Sequence, residues 1–177
     1  MSLFEDLAAQ QGFECMGTCS AKDLVAREEV RSMCAANTCQ MYDHSWACPP
    51  ACGDIADFQE QMTSYNHCLV VQTVAQMEDE FDFEVMAESG QRQQDRVHGL
   101  AEAIDAAGFS AEVMVLSAGT CTLCKECTYP DAPCRFPDKR LVSMEAAGLV
   151  VSEVCTKAGI PYNHGPLTMT YSGCVLY

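Results

Sequence analysis

Cys68-Leu69-Val70-Val71-Gln72-Thr73-Val74-Ala75 is the stretch on which the fold turns: a short run rich in valine and bounded by polar residues, which reads as a buried strand. Working outward, Ser89 to Ala107 carries the helical stripe Val97, Leu100, Ala101 and Ile104, and Gly108 closes that helix in the left-handed conformation. Ala111 to Ser117 is a second strand. Ser143 caps a further helix through Ala147, Val151, Val154, Cys155 and Ala158 to Gly159, and Leu167 to Leu176 alternates as a last strand. Strand, helix, strand, helix, strand is the order of crossover connections, so the expected fold is α/β, a small mostly parallel sheet with crossover helices.

Upstream of Asn66 the pattern is helical. Ser20 and Asp23 read as a capping pair for a helix that places Ala26, Val30, Met33 and Cys34 on one face. A second helix follows from Asp54, with Ile55, Phe58, Met62 and Tyr65 at helical spacing. The chain is expected to be one metal-binding domain over 1–177. A helical, cysteine-rich segment (1–65) packs on an α/β core (66–177), and two long loops, 35–53 and 118–142, carry cysteines. Loops of that length in a compact domain are ordinarily functional.

Composition narrows the function. Thirteen cysteines among 177 residues cannot all pair as disulfides, and clustered thiols in a reducing compartment point to metal or redox chemistry. The formal net charge of −15 disfavours nucleic acid and acidic membrane surfaces as partners. No run is long and apolar enough to span a bilayer. Residues 1–11 carry Glu5 and Asp6 and lack the basic start and apolar run of a secretory signal, so a cytoplasmic location is expected.

The stronger constellation is Cys121-x2-Cys124-x2-Cys127-x6-Cys134. Three thiolates at this spacing can each reach a different iron of one cluster, whereas a structural zinc takes cysteines in pairs and leaves the third over. The expected cofactor is an iron–sulfur cluster of the 4Fe–4S type, one or two per chain, with zinc as the alternative. The second constellation is Cys34-x4-Cys39-x8-Cys48-x3-Cys52. Cys48 precedes a proline, as the distal cysteine of a ferredoxin-type set does, so either Cys48 or Cys134 could complete the first group. Cys15 and Cys19 read as incidental, and Cys68, Cys155 and Cys174 as buried core thiols. His44 lies inside a cysteine loop and could replace a thiolate. Lys125, Arg135, Lys139 and Arg140 crowd the second loop, where they would offset cluster charge or dock an acidic redox partner protein.

Lys22-Asp23-Leu24-Val25 through Val30-Arg31, then Cys34, Asn37, Cys39, Tyr42 and Trp46-Ala47-Cys48-Pro49-Pro50, form a recognisable pattern. So do Cys121, Cys124, Cys127, Pro130, Cys134-Arg135-Phe136-Pro137 and Ser143-Met144-Glu145-Ala146-Ala147-Gly148. Together they resemble a cysteine-rich family of unknown function described as predicted metal-binding proteins, over nearly the whole chain after Ala21. The resemblance implies metal binding and names no reaction. No residue stands out as catalytic: dinucleotide, phosphate-loop, nucleophile-elbow and radical-type cysteine motifs are all missing. The function expected is iron–sulfur binding with an electron-transfer or redox accessory role, the alternative being a zinc-binding structural or protein-interaction module.

Overall fold

The computed structural model describes residues 2–177. Helices α1 (Leu3–Gln10), α2 (Glu28–Ala35), α3 (Ile55–Ser64), α4 (Phe83–Ala106) and α5 (Val151–Lys157) surround a five-stranded sheet. Its strands are β1 (Cys15–Ser20), β2 (His67–Gln76), β3 (Met114–Ser117), β4 (Val142–Ser143) and β5 (Thr168–Leu176), in the order β1-β2-β5-β3-β4.

The sheet is mixed and mostly antiparallel, which corrects the parallel arrangement expected from the sequence. β2 runs antiparallel to β1 and to β5, β5 runs antiparallel to β3, and only β3 and β4 are parallel. β2 and β3 do point the same way, since both oppose β5, so α4 is a crossover between them. The slot it spans is filled by β5, the last strand, returning in the opposite direction.

The misreading has a physical cause. Cys68, Leu69, Val70 and Val71 are all 0% exposed, because both faces of β2 are covered. Cys68 and Val70, with Leu116, Cys174 and Leu176, pack against Leu24, Met62, Met144, Leu149 and Val154. Leu69, Val71 and Val175 pack on the other side against Phe4 and Ala8 of α1 and Val97, Leu100 and Ile104 of α4. A continuous apolar run reports burial on two faces, and parallel sheets are only the commonest way to achieve it.

Other boundaries shift. Residues 1–65 are not simply helical: α1 and β1 precede the expected first helix, and Ser20 ends β1 without capping anything. α1 opens with a capping box that Ser2-Leu3-Phe4-Glu5 spells out. The Glu5 amide donates to Ser2 Oγ at 3.3 Å, and the Ser2 amide to Glu5 Oε2 at 2.6 Å. The next helix is α2, which begins only at Glu28. α3 agrees with expectation. α4 begins at Phe83 behind an Asp82 cap, six residues before Ser89, and Gly108 has the left-handed φ of +87° foreseen for it. Ser143 belongs to β4, and the helix expected from it is reduced to α5. Cys68, Cys155 and Cys174 are buried core thiols as read.

No helix among the described residues is long and apolar enough to cross a membrane. For the site, the decisive feature is that the loop 118–141 leaves the carboxyl end of β3 and returns as β4 beside it.

Candidate metal centre

The second cysteine loop is pinned at its root by α4. Gln94 Nε2 donates to the carbonyls of Ala118 and Thr120, and Ser117 Oγ donates to Gln94 Oε1 at 3.1 Å. Further on, Thr128 Oγ1 donates to Pro133 O at 2.8 Å and Arg135 donates to Glu126 O at 2.8 Å, so the loop is cross-braced without regular structure. The first cysteine loop folds through left-handed residues at Asn37, Gln40 and Asp43 and closes on itself where the Asp43 amide donates to Pro49 O at 2.8 Å. Arg31 of α2 ties it to the β4–α5 segment, donating to Ala146 O at 2.7 Å and Gly53 O at 2.9 Å.

The two loops are latched together. Trp46 Nε1 donates to Ala132 O at 3.0 Å, Tyr129 donates its phenol to Asp43 at 2.6 Å, and the Trp46 and Tyr129 rings meet edge to face at 4.9 Å. Between them lies a cavity of about 530 Å³. Cys121, Cys124, Cys127 and Cys134 all line it, and the first loop contributes Trp46 and His44.

The grouping of thiols follows from what each one feels. Cys121 is pushed up first by burial, with the Leu123 amide opposing, and then by Cys124, Cys134 and Cys127. Cys48 is pushed up to about 11, first by burial, with the Ser45 hydroxyl opposing and Cys39, Cys52 and Cys34 adding. Cys34 and Cys52 are also raised by burial, against the guanidinium of Arg31. The neighbours of Cys48 are thus Cys34, Cys39 and Cys52, and those of Cys121 are Cys124, Cys127 and Cys134. Cys15 and Cys19 lie away from both groups, on β1.

Cys127 differs from the rest. Burial alone would raise its thiol, yet the amides of Trp46, Tyr129 and Thr128 and the Ser45 hydroxyl together hold it below the usual thiol value. Donors aimed at one sulfur favour its thiolate, the form that binds metal. The Ser45 hydroxyl, 1% exposed, opposes the rise of the Cys48 thiol and helps lower that of Cys127, and so lies near both groups. Nothing in the sequence singled out Ser45; its place beside Trp46 in the first loop was the available signal.

The cationic residues divide. Lys125, Arg135 and Arg140 line the cavity, while Lys139 forms an exposed ion pair with Glu102 at 2.9 Å. Arg140 has a buried Nε with no partner. His44 Nδ1 donates to Tyr42 O at 2.7 Å, which leaves Nε2 as its free ring nitrogen. These features fit an anionic, thiolate-bound group: four sulfurs, an amide cradle at one of them, and guanidinium and ammonium charge around the rim.

A family model described as "Predicted metal-binding protein (DUF2284)" matches residues 18–177. The chain belongs to that family. Membership in DUF2284 makes it a predicted metal-binding protein and specifies no metal. No curated protein and no solved structure matches it. Among the described residues, no three His, Cys, Asp or Glu side chains stand close enough to hold a single ion.

Glu145, within the Ser143–Gly148 motif, adds a buried carboxyl near Cys34. Burial pushes it above the usual carboxylate range despite its own amide and the Ser143 hydroxyl, and its Oε2 has no partner. A raised carboxyl favours folding while it is protonated, and that advantage is lost as pH rises through its folded-state value. Glu145→Gln is therefore expected to raise the unfolding midpoint near about pH 8 and to leave it unchanged near about pH 4, where the wild-type carboxyl is neutral too. Urea denaturation at the two pH values checks this.

Proposed function

We propose that Cys121, Cys124, Cys127 and Cys134 hold an iron–sulfur cluster of the 4Fe–4S type and that the chain serves in electron transfer or as a redox accessory protein. The observation that carries this reading is the cavity: four thiols ring about 530 Å³ of space and no three converge on a point. Two sulfurs bound to one zinc stand only about 3.8 Å apart, as bonds of about 2.3 Å in a tetrahedron require. A cluster offers a separate iron to each thiolate and needs room between them.

A cluster supplies one-electron chemistry when bound; the chain's residues hold it, shield it and set the charge around it. Trp46 and Tyr129 form one wall against water. Lys125, Arg135 and Arg140 offset the negative charge of four thiolates, and the exposed Lys125 and Arg135 suit an acidic redox partner. Thiols bind metal as thiolates, so loading must release protons and is favoured by higher pH.

Cys34, Cys39, Cys48 and Cys52 form the second site in this reading, with Ser45 near both it and the first. A second cluster there would sit close enough for electrons to pass between sites.

The visible spectrum of protein purified without oxygen tests the proposal. Broad absorption that bleaches on adding dithionite is expected. A colourless protein unchanged by dithionite would leave a zinc-binding structural module as the better account.

A further inference from the structure

On the opposite strand edge from the cysteine loops, a cavity of about 310 Å³ opens between β1, β2, α4 and the segment before β5. Its lining includes Cys15, Gln72, His164, Arg92, Arg96 and Glu14. Gln72 is 1% exposed and fixes the chemistry of one wall. Its Nε2 donates to Pro161 O at 3.0 Å, and a proline carbonyl can only accept. Oε1 must therefore face the other way, where it accepts from His164 Nε2 at 2.9 Å and from the Cys15 thiol at 3.1 Å.

Cys15 and His164 lie 3.8 Å apart, a spacing that invites a nucleophile-and-base reading. The shared acceptor argues against it: both groups spend a proton on the same oxygen, so His164 Nε2 is not free to take the thiol's proton. Burial also raises the Cys15 thiol, with Cys155 adding. On that wall Cys15 and His164 are both committed to Gln72.

The opposite wall is cationic. Arg92 and Arg96 are one turn apart on α4, a like-charge placement that costs stability in a bare helix. Neither belongs to the described ion pairs, which are Arg27–Glu153 and Lys139–Glu102, although the chain carries 25 acidic residues. Arg96 is held in place, donating to Thr73 Oγ1 at 3.2 Å and lying over the Phe13 ring at 5.8 Å. Two guanidiniums outweigh the single carboxylate of Glu14.

We infer that this cavity binds a small oxyanion, a carboxylate or a phosphate, on Arg92 and Arg96, with the Cys15 thiol facing the bound group across the cavity. The site is independent of the cysteine loops. It concerns ligand recognition and makes no use of the proposed cluster.

Cys15 provides the readout. Iodoacetate and iodoacetamide alkylate a thiol by the same displacement: the C–S bond forms, iodide leaves with the electron pair, and the thiol proton goes to solvent. The reagents differ in charge, so their rate ratio at Cys15, read by peptide mass spectrometry on the full-length protein as isolated, reports the arginines and cancels the thiolate fraction. Relative to the ratio for glutathione, a preference for iodoacetate of about three- to tenfold is expected, reduced toward one in Arg92→Gln. Arg92 is exposed, so this variant keeps the fold. Suppression of iodoacetate labelling by inorganic phosphate identifies a phosphate site, and suppression by acetate alone a carboxylate site. A ratio equal to that of glutathione, a ratio unchanged by Arg92→Gln, or a Cys15 closed to both reagents would overturn the inference.

Discussion

Replacing Cys121 by serine is expected to strip the protein of its metal. Cys121 is half-buried at the cavity wall, held there by the Leu123 amide, and is one of four sulfurs that share the space. Outer-sphere changes typically weaken metal binding by about 10- to 100-fold, and the loss of a thiolate ligand costs more than that. Cys121→Ser protein should therefore emerge with less than about a tenth of the wild-type iron and sulfide. Cys174→Ala is the matched control: Cys174 is 0% exposed between the sheet and the α5 side of the core, remote in role from both loops. It should keep its metal at a stability cost of about 1 kcal/mol. Equal metal content in the two variants would remove Cys121 from the ligand set.

The second large effect is on the fold. Gly17 lies in the middle of β1, where a Cβ would stand 2.3 Å from the Ala158 carbonyl oxygen and 2.7 Å from Ile160 Cγ2. The first of these is backbone and cannot swing away, so Gly17→Ala must push β1 off the end of α5. We expect a loss of about 2–3 kcal/mol in urea unfolding, the range for overpacking a tight contact. Gly108→Ala sets the scale for backbone strain alone. Its φ is +87° and nothing lies within 4 Å of the added carbon, so about 1 kcal/mol is expected there. If Gly17→Ala proved no worse than Gly108→Ala, the close docking of β1 beneath α5 would be wrong.

That contact also shows what the sequence could not convey. Cys15-Met16-Gly17-Thr18-Cys19-Ser20 has no alternation and a central glycine, and it is a strand because β2 offers it an edge and Ala158 demands a residue without a side chain. The two-residue β4 is defined only by pairing with β3. The direction of β5 was equally hidden: alternation in Leu167 to Leu176 marks a strand and says nothing about which way it runs. By contrast, α3 and the end of α4 were legible, because helical spacing at Ile55, Phe58 and Met62 and a left-handed glycine at 108 are local properties.

The site divides the same way. The two cysteine constellations were legible from spacing, and the position of the second loop at the carboxyl end of β3 followed from the run 111–117. That Cys48 feels Cys34, Cys39 and Cys52 while Cys121 feels Cys124, Cys127 and Cys134 depends on how the loops fold across each other, which spacing does not encode. The same holds for the cradle around Cys127. Its donors come from Trp46 and Ser45 in one loop and Thr128 and Tyr129 in the other, brought together by the Trp46–Ala132 and Tyr129–Asp43 hydrogen bonds.

The central claim is that the 121–134 thiols enclose a cluster, and the most direct measurement is the iron, acid-labile sulfide and zinc content of the full-length protein purified without oxygen. Iron and sulfide in equal amounts, at no less than one cluster per chain, is the predicted result. Stoichiometric zinc with no sulfide would contradict it.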